Sequence, residues 1–484
     1  MKKQTVKIRV AMIAVWSLMG IVCPGMVAEN SISSEIQMEE RGKEWQVREF
    51  HYYVNDLGLQ ALRQNISSKA SHEVCLPLND MVSVYVGSVG GGHQEISLKS
   101  GSGSTEQINT DSLGATLHDY LNRLKGNDSA DCVNLRSLLW YDGKYVCKKW
   151  KITSAKIKTA LDVEFLSGIY NLPFHEEKIV NMWIDSVSCR PAEYIVHLDQ
   201  FKCHYLFANV LNFKGDWSKP FPKDVNVSRF MMMDGTGKDK YFLATSDTLG
   251  YIRTEECEVV EIPYKGGRYK FIGVLPAARY ASDLQKFAES LTPETIIQWQ
   301  QNQKYTPVKV RIPPFEIFQP TINPEWMETL FPTPEYLHRP KEFFKNFKRD
   351  AKAYLGYLSV ANIMFGWQGT EGMPVDFGCD PTGDASHVEG NEEDGKDTVE
   401  VSFNRPFIYM VIDGETGVAL IMGALLDPDS PFASYPLPNT GRLRPQGRSV
   451  PSWLRASRCL CWSLSDRDIR ICRGFPSGCL PLRE

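Results

Sequence analysis

The sequence predicts an α+β fold. Three runs alternate apolar and polar residues with the period of a strand, at 257–264, 269–276 and 308–317, and they are rich in β-branched residues. Helical periodicity falls between the second and third runs, at 281–290 and 293–300. Strands and helices are interspersed without a regular strand–helix–strand rhythm, which favours α+β over a doubly wound parallel sheet.

The first 28 residues predict a secretory signal peptide. Four basic residues between Lys2 and Arg9 precede the apolar run 10–23, and Ala28 is a suitable last residue before cleavage. The apolar run falls short of the ~18 residues that a membrane span needs, so a membrane anchor is the weaker alternative. We therefore expect an extracellular protein that begins with a flexible segment, 29–48.

The next hundred residues contain two helical patterns. Asn55–Gln64 is amphipathic, and Leu117–Leu124 has helical periodicity. Between them, the apolar run Met81–Val86 leads to the glycine-rich stretch Val89–His93. That stretch lacks the Lys-Ser/Thr ending of a phosphate loop, so we predict a turn there.

The most apolar strands follow residue 200. Cys203–Phe213 predicts a central strand, and three further apolar runs lie at 354–365, 399–412 and 418–425. The last two runs predict a hairpin because a glycine-containing turn joins them. The stretch 369–406 lies mostly between the runs 354–365 and 399–412 and is rich in acids, glycine and proline. Loops of that length are usually functional or disordered.

Composition argues against several functional classes. The net charge of −4 becomes more negative without the basic signal peptide, so we expect no nucleic-acid partner. The cysteine spacings match no zinc or redox motif, so we predict no metal and no cofactor, and leave one or two disulfides open. No hydrolase, metalloprotease or phosphate-loop motif occurs, so we predict no catalytic residue and no enzyme activity.

Two kinds of surface feature fit an extracellular protein. Asn65, Asn127 and Asn226 each begin a glycosylation sequon. The basic cluster Lys144–Lys158 is either a solvated face or a site for a sulfated polysaccharide such as a glycosaminoglycan.

A series of short motifs resembles the serpin family. The most specific motif begins at Asn209, continues through Phe213-Lys-Gly-Asp-Trp217 and ends at Phe221. The other matching elements are Asn181-Met-Trp183, Val259-Val-Glu-Ile-Pro-Tyr264 with Val274-Leu-Pro276, Gly369-Thr-Glu371, Phe403-Asn-Arg-Pro-Phe407, and Met422-Gly423 with Asp427-Pro428. They occur in family order, so we expect residues 49–428 to form one serpin domain.

The resemblance implies a fold of three β-sheets with eight or nine helices and an exposed reactive-centre loop. It also implies a partner, because in this family a serine or cysteine protease attacks the loop. The hinge side of the cut loop then inserts as a new strand of the large sheet, and the protease is trapped as stored strain is released. A monomer is the expected state.

Two positions that help to control sheet opening in the family differ here. Family members usually carry Ser-Pro-x-Ser at the start of the second helix, and here the sequence reads Leu76-Pro-Leu-Asn79. They also carry a histidine on the strand before the hinge, but no histidine occurs between Tyr354 and Gly369. We predict that Asn362 takes the place of that histidine.

The hinge itself, Gly369-Thr370-Glu371, continues into residues that suit a central strand poorly. An inserting strand turns alternate side chains inward, which from Thr370 are Gly372, Pro374 and Asp376. Glycine weakens a strand, proline lacks the N–H for the ladder, and a buried aspartate without a partner costs on the order of several kcal/mol.

The cleaved bond has two candidate positions. Counting forward from the hinge gives Gly383–Asp384, and counting back from Phe403 gives Gly395–Lys396. Two functions therefore remain open: inhibition by trapping a protease, and a non-inhibitory role as a binding or carrier protein or as a protease substrate.

The C-terminal extension, 429–484, differs in composition from the domain. From Gly441 onward it contains arginine but no lysine, and its four cysteines have irregular spacing. We expect a disordered extension or an artefact of the gene model, with a small metal or disulfide knot as the alternative.

Overall fold

The computed structural model describes the chain in eleven ranges. These are residues 50–66, 72–91, 93–99, 105–124, 131–142, 150–168, 173–188, 205–223, 225–322, 355–371 and 398–428. Residues 1–28, for which a signal peptide is predicted, most of the segment 369–406 and the extension 429–484 lie outside these ranges.

Seven α-helices occur in the described part of the chain. They are α1 at 50–66, α2 Pro77–Gly91, α3 Thr110–Leu124, α4 Trp150–Ala160, α5 Pro173–Ser188, α6 Leu284–Ser290 and α7 Pro293–Asn302. Helix α7 begins with a capping box, in which the Thr292 side chain accepts from the Thr295 backbone N–H and the Thr295 hydroxyl accepts from Thr292 N–H.

Seventeen strands are described. They are β1 His72–Cys75, β2 Glu95–Lys99, β3 Thr105–Asn109, β4 Asp131–Asp142, β5 Val163–Gly168, β6 Tyr205–Asp216, β7 Val225–Met231, β8 Gly237–Arg253, β9 Cys257–Pro263, β10 Tyr269–Pro276, β11 Lys304–Ile312, β12 Phe315–Ile322, β13 Leu355–Phe365, β14 Gly369–Glu371, β15 Val399–Ser402, β16 Phe407–Asp413 and β17 Ala419–Leu425.

The strands form three sheets, as the resemblance implied. A nine-stranded sheet has the order β1-β17-β16-β10-β9-β8-β11-β15, with β7 also paired to β8. A six-stranded sheet has the order β12-β13-β14-β6-β4-β5, and β2 and β3 pair separately. Sheets and helices are thus mixed along the chain, which confirms the predicted α+β class.

The six-stranded sheet is buried on both faces at its centre. Along β6, Phe207, Leu211 and Phe213 join the main core, and the alternate residues Leu206 and Val210 join a smaller cluster with α5. Because successive side chains of a strand point to opposite faces, a strand that is covered on both sides must be apolar throughout. This double burial explains the apolar run from which the sequence predicted a central strand.

Three local predictions were wrong in their boundaries. The pattern 308–317 is two strands, since Pro313-Pro314 separates β11 in the nine-stranded sheet from β12 in the six-stranded sheet. The run 399–412 is likewise divided, and only its second part, β16, forms the predicted hairpin with β17. The glycines at 90 and 91 end helix α2 rather than forming a separate turn.

A buried ion pair joins the nine-stranded sheet to α3. Arg268 donates from Nε to Asp413 Oδ1 at 3.1 Å and from Nη2 to Oδ2 at 3.0 Å, and its Nη1 donates to the Arg123 carbonyl at the end of α3 at 2.9 Å. The Asp413 carboxylate is fully buried and also accepts from the Thr416 hydroxyl at 3.0 Å. The pair therefore holds together the β9–β10 turn, the β16–β17 turn and a helix end.

Asp427, which follows β17, forms ion pairs with β8. Its carboxylate binds Lys238 Nζ at 2.5 Å and Lys240 Nζ at 2.8 Å, both on β8. Burial raises the pKa of Asp427, but hydrogen bonds from the two ammonium groups outweigh burial, so the pKa lies below its ordinary value. The ionised carboxylate thus stabilises the fold above its unfolded pKa, and this stability is lost as the pH falls through the folded pKa.

We predict that Asp427→Asn lowers the free energy of unfolding at pH 7, and that the difference from the wild type narrows below about pH 4. Urea denaturation of both proteins at pH 7 and at pH 3 measures it. Asp239→Asn, at an exposed position on β8 between the two lysines, is the control, and its free energy of unfolding should differ little from the wild type at either pH. A difference for Asp427→Asn that persists undiminished at low pH would contradict the assigned role of the carboxylate.

Candidate functional site

The site lies at one end of the six-stranded sheet, where the short strand β14 separates β13 from β6. Gly369 and Thr370 pair antiparallel with Asp216 and Gly215 of β6. On the other side, β14 pairs antiparallel with the last two residues of β13. Further along, β13 and β6 pair directly and in parallel over eight residue pairs. The three residues of β14 therefore separate β13 from β6 at this end of the sheet, and the two strands pair with each other over the rest of their length.

Gly369 occupies a position that accepts no side chain. A Cβ atom built on it would lie 2.1 Å from the Gly215 carbonyl oxygen and 2.8 Å from Asp216 Cα. Both neighbours are backbone atoms, so no side-chain rotation can relieve the contact. The hinge thus enters the sheet at a place where two backbones approach closely, for which glycine is required.

Thr370 anchors the inserted hinge. Its side chain is fully buried, and its hydroxyl accepts a hydrogen bond from the Tyr264 hydroxyl at 2.8 Å. The Tyr264 ring stacks on Trp217, with ring centroids 4.5 Å apart and planes 15° apart. A buried hydroxyl needs such a partner, because leaving it unsatisfied costs about 1–3 kcal/mol.

Backbone hydrogen bonds hold the turn that leads from β13 into the hinge. Gly366 N–H donates to the Gly369 carbonyl at 2.9 Å, which closes the turn. Trp217 N–H donates to the Gln368 carbonyl and Phe221 N–H to the Trp367 carbonyl, each at 2.8 Å. The indole N–H of Trp217 donates to the Gly366 carbonyl at 2.9 Å. The motif residues Trp217 and Phe221 thus fix the approach to the hinge.

A buried polar cluster lies beneath the closed part of the same sheet. Asn209 on β6 donates to the Ser83 hydroxyl of α2 at 2.9 Å and accepts from the Ser137 hydroxyl of β4 at 2.6 Å. Asn79 of α2 donates to the Ser359 hydroxyl of β13 at 3.3 Å. These hydrogen bonds connect α2 to β6 and to β13, the two strands that flank β14.

The described contact from β13 to this cluster is made by Ser359, whereas the sequence predicted Asn362. Ser359 lies opposite Asn209 in the strand register, whereas Asn362 lies opposite Asn212, three residues further along. The side chain of Asn362 lies outside the described residues, so its predicted role stays a prediction.

The other predicted site residues divide into two groups. Asn226 is exposed on β7, and Asn65 is half-buried with its amide nitrogen 3.6 Å from Cys75 Sγ. Lys151 and Lys158, from the basic cluster, are exposed on α4. The remaining candidates lie outside the described residues: Gly372, Pro374, Asp376, Gly383, Asp384, Gly395, Lys396, Asn127 and Lys144.

The part of the chain that the structure describes contains no candidate metal site. No group of three or more His, Cys, Asp or Glu side chains that could hold a metal ion occurs within them. Cys75 and Cys257 are buried free thiols, and burial raises the pKa of Cys257. No described helix combines the length and the apolar character that crossing a bilayer requires.

Sequence reasoning missed two partners of the hinge. Tyr264 and Gly215 were recognised only as motif residues, yet the first binds Thr370 and the second lies against Gly369. Each is separated from the hinge by more than a hundred residues, so no local pattern signals the contact. Their place in family motifs was the one available indication.

Comparisons with known proteins agree with this geometry. The family model "Serpin (serine protease inhibitor)" matches residues 79–428. Human Serpin B3 is 29% identical over 154 residues, which are 30% of this chain and 39% of that protein, so the match spans well under half of that relative. Intracellular coagulation inhibitor 2 of Tachypleus tridentatus is 21% identical over 383 residues, covering 77% of this chain and 89% of that protein.

Solved structures share the fold at low sequence identity. The structure of human thyroxine-binding globulin complexed with thyroxine has a TM-score of 0.64 at 14% identity, and covers 79% of this chain and 99% of that one. At such identity the likeness concerns the fold alone.

Proposed function

Because the chain belongs to the serpin family, we propose that it presents the segment after Glu371 to proteases as a cleavable loop and does not trap the protease that cuts it. The loop is the recognition element, and no residue of this chain is catalytic. The partner is a serine or cysteine protease, as is expected for the family.

The burial of Thr370 is the observation that supports this proposal. The Thr370 side chain faces the core, and alternate residues of a strand point the same way. If the strand grew beyond Glu371, the next core-facing residues would be Gly372, Pro374 and Asp376.

Continued insertion is therefore unfavourable at two consecutive core-facing positions. Pro374 removes a ladder hydrogen bond from a strand flanked on both sides. Asp376 would have to lose its hydration, which costs on the order of several kcal/mol unless a partner is supplied or the carboxyl is protonated. Insertion that is slow or incomplete lets the protease hydrolyse the acyl bond and leave.

Inhibition by trapping is the second candidate, and the docked hinge favours it. Gly369-Thr370-Glu371 already pairs with both neighbouring strands, so insertion has a starting point in the uncut chain. The two functions differ only in whether the sheet opens beyond these three residues.

One incubation series distinguishes the two functions. The full-length protein is mixed with trypsin-like, chymotrypsin-like and elastase-like proteases and analysed under denaturing conditions. We expect cleavage of the loop without a covalent adduct that survives SDS. A stable adduct with the summed mass of both proteins would instead establish trapping, and mass spectrometry of the fragments shows whether Gly383–Asp384 or Gly395–Lys396 is cut.

We further propose that the protein is a secreted, monomeric glycoprotein. The N-terminal 28 residues and the three sequons support secretion. The exposure of Asn226 makes that sequon accessible to glycosylation, and the exposed Lys151 and Lys158 support a weak glycosaminoglycan contact within Lys144–Lys158.

A further inference from the structure

Strand β7 lies at an edge of the nine-stranded sheet. It pairs antiparallel with β8 along Val225–Met231, and the described part of the chain places no other strand beside it. The edge of a sheet presents unpaired N–H and carbonyl groups, to which another extended chain can bind. The outward-facing backbone of β7 is therefore a surface at which a second chain can extend the sheet.

A hydrogen bond at the end of β7 shows which of its residues face outward. Met231 N–H donates to the Asn404 carbonyl at 2.8 Å, so it points away from β8. The backbone groups of alternate residues in an antiparallel strand point to the same side. Those of Val225, Val227 and Arg229 therefore also point away from β8, and no backbone hydrogen bond joins Val227 or Arg229 to another described segment.

The composition of β7 favours pairing with another strand. Proteins usually protect an edge strand with charges, proline or a bulge. Here the strand contains no proline, its register with β8 is continuous, and Arg229 is its single charged residue. Val227 is 63% exposed and Met231 is 39% exposed, so apolar side chains lie beside the unpaired backbone. Short segments of this kind associate with one another when they are exposed.

The unpaired part of the edge is self-complementary. It runs from Val225 to Arg229, because the next outward group, at Met231, is already bound to Asn404. Two copies aligned antiparallel about Val227 would bring each Val227 opposite its counterpart and each Arg229 opposite Val225 of the other copy. Like charges would then not lie opposite each other. Such pairing is isologous and ends at a dimer, because it covers the unpaired edge of both copies.

The same five residues contain the sequon Asn226-Val-Ser228. Asn226 is exposed, and in this pairing it would lie opposite Ser228 of the other copy. Opposite side chains in an antiparallel pair have Cβ atoms about 4.5–5.5 Å apart, and the first sugar of a glycan would fill that space. On the basis of the secretion and glycosylation proposed above, we propose that a glycan on Asn226 covers the edge of β7, and that without it two copies of this chain pair through β7.

The oligomeric state of the full-length protein, secreted from cultured eukaryotic cells, tests this proposal. We expect mass spectrometry to find a glycan on Asn226 of the wild type, and sedimentation equilibrium to give the mass of a monomer. Ser228→Ala destroys the sequon, so its sedimenting mass should rise with protein concentration to about twofold that of the monomer. Ser228→Thr is the matched control, because it keeps a sequon, and it should be glycosylated and monomeric.

Val227→Pro separates the loss of the glycan from the exposure of the edge. Proline at the middle position of a sequon prevents glycosylation. The N–H that proline lacks is one that points away from β8, so pairing within the sheet is retained and the outer edge is blocked. This variant should therefore remain a monomer although Asn226 carries no glycan.

Enzymatic removal of the glycan from the folded wild type needs no substitution and should produce the same dimer. If Asn226 of the wild type is glycosylated but both Ser228→Ala and the deglycosylated protein stay monomeric, the proposed cover is overturned. A dimer of Val227→Pro would overturn the assignment of the contact to the edge of β7. A secreted wild type without a glycan on Asn226 would overturn the proposal at an earlier step, the glycosylation itself. No protease takes part in these measurements, so their outcome is independent of the proposed loop function.

Discussion

Replacing Arg268 with alanine is expected to lower the free energy of unfolding by about 3–5 kcal/mol, the usual penalty when one partner of a buried ion pair is removed. The Asp413 carboxylate is fully buried and would lose both hydrogen bonds from the guanidinium. The hydrogen bond that caps the end of α3, from Arg268 to the Arg123 carbonyl, would be lost as well.

Urea denaturation measures this loss, and Arg253→Ala is the matched control. Arg253 pairs with Glu258 at 3.8 Å and its side chain is 73% exposed, so its removal should cost less than about 1 kcal/mol. If the two variants were equally stable, the Arg268–Asp413 pair would not hold the helix and the turns together.

Gly369→Val is expected to expel the hinge from the six-stranded sheet. The valine Cβ would lie 2.1 Å from the Gly215 carbonyl oxygen, and the backbone on that side belongs to the central strand β6. Expulsion breaks the pairing of β14 with both neighbours and the hydrogen bond that closes the turn, each bond being worth about 0.5–1.5 kcal/mol. It also removes Thr370 from Tyr264.

Hydrogen exchange detects this change directly. Amides at 369–371 and at 215–217 should lose protection in Gly369→Val and keep it in Gln368→Val, which changes an exposed residue of the same turn. Unaltered protection in the glycine variant would show that the hinge is not held between β13 and β6.

Much of the architecture was predictable because the strongest strands are buried on one or both faces. The β16–β17 hairpin and the central strand β6 carry continuous apolar sequences, and their burial explains why. Strand boundaries were less predictable where one apolar pattern serves two sheets. Pro313-Pro314 separates β11 from β12. The alternating pattern continues on both sides of these prolines, so the sequence was interpreted as one strand.

The geometry of the site could not be predicted from the sequence, because its contacts join distant parts of the chain. The bond from Tyr264 to Thr370 spans 106 residues and the pair Arg268–Asp413 spans 145. Family motifs indicated which residues matter and left their partners unknown. The contact between Asn79 and Ser359 shows the limit, since the strand register that places Ser359 opposite Asn209 cannot be read from residue types.

The most direct test of the central claim is the melting temperature of the protein before and after its loop is cut by a protease. If insertion stops after Glu371, the cut protein should melt within a few degrees of the intact one. A variant that combines Pro374→Ala with Asp376→Ala should melt at a much higher temperature after cutting, because its loop can complete the sheet. A large rise in the cut wild-type protein would contradict the account.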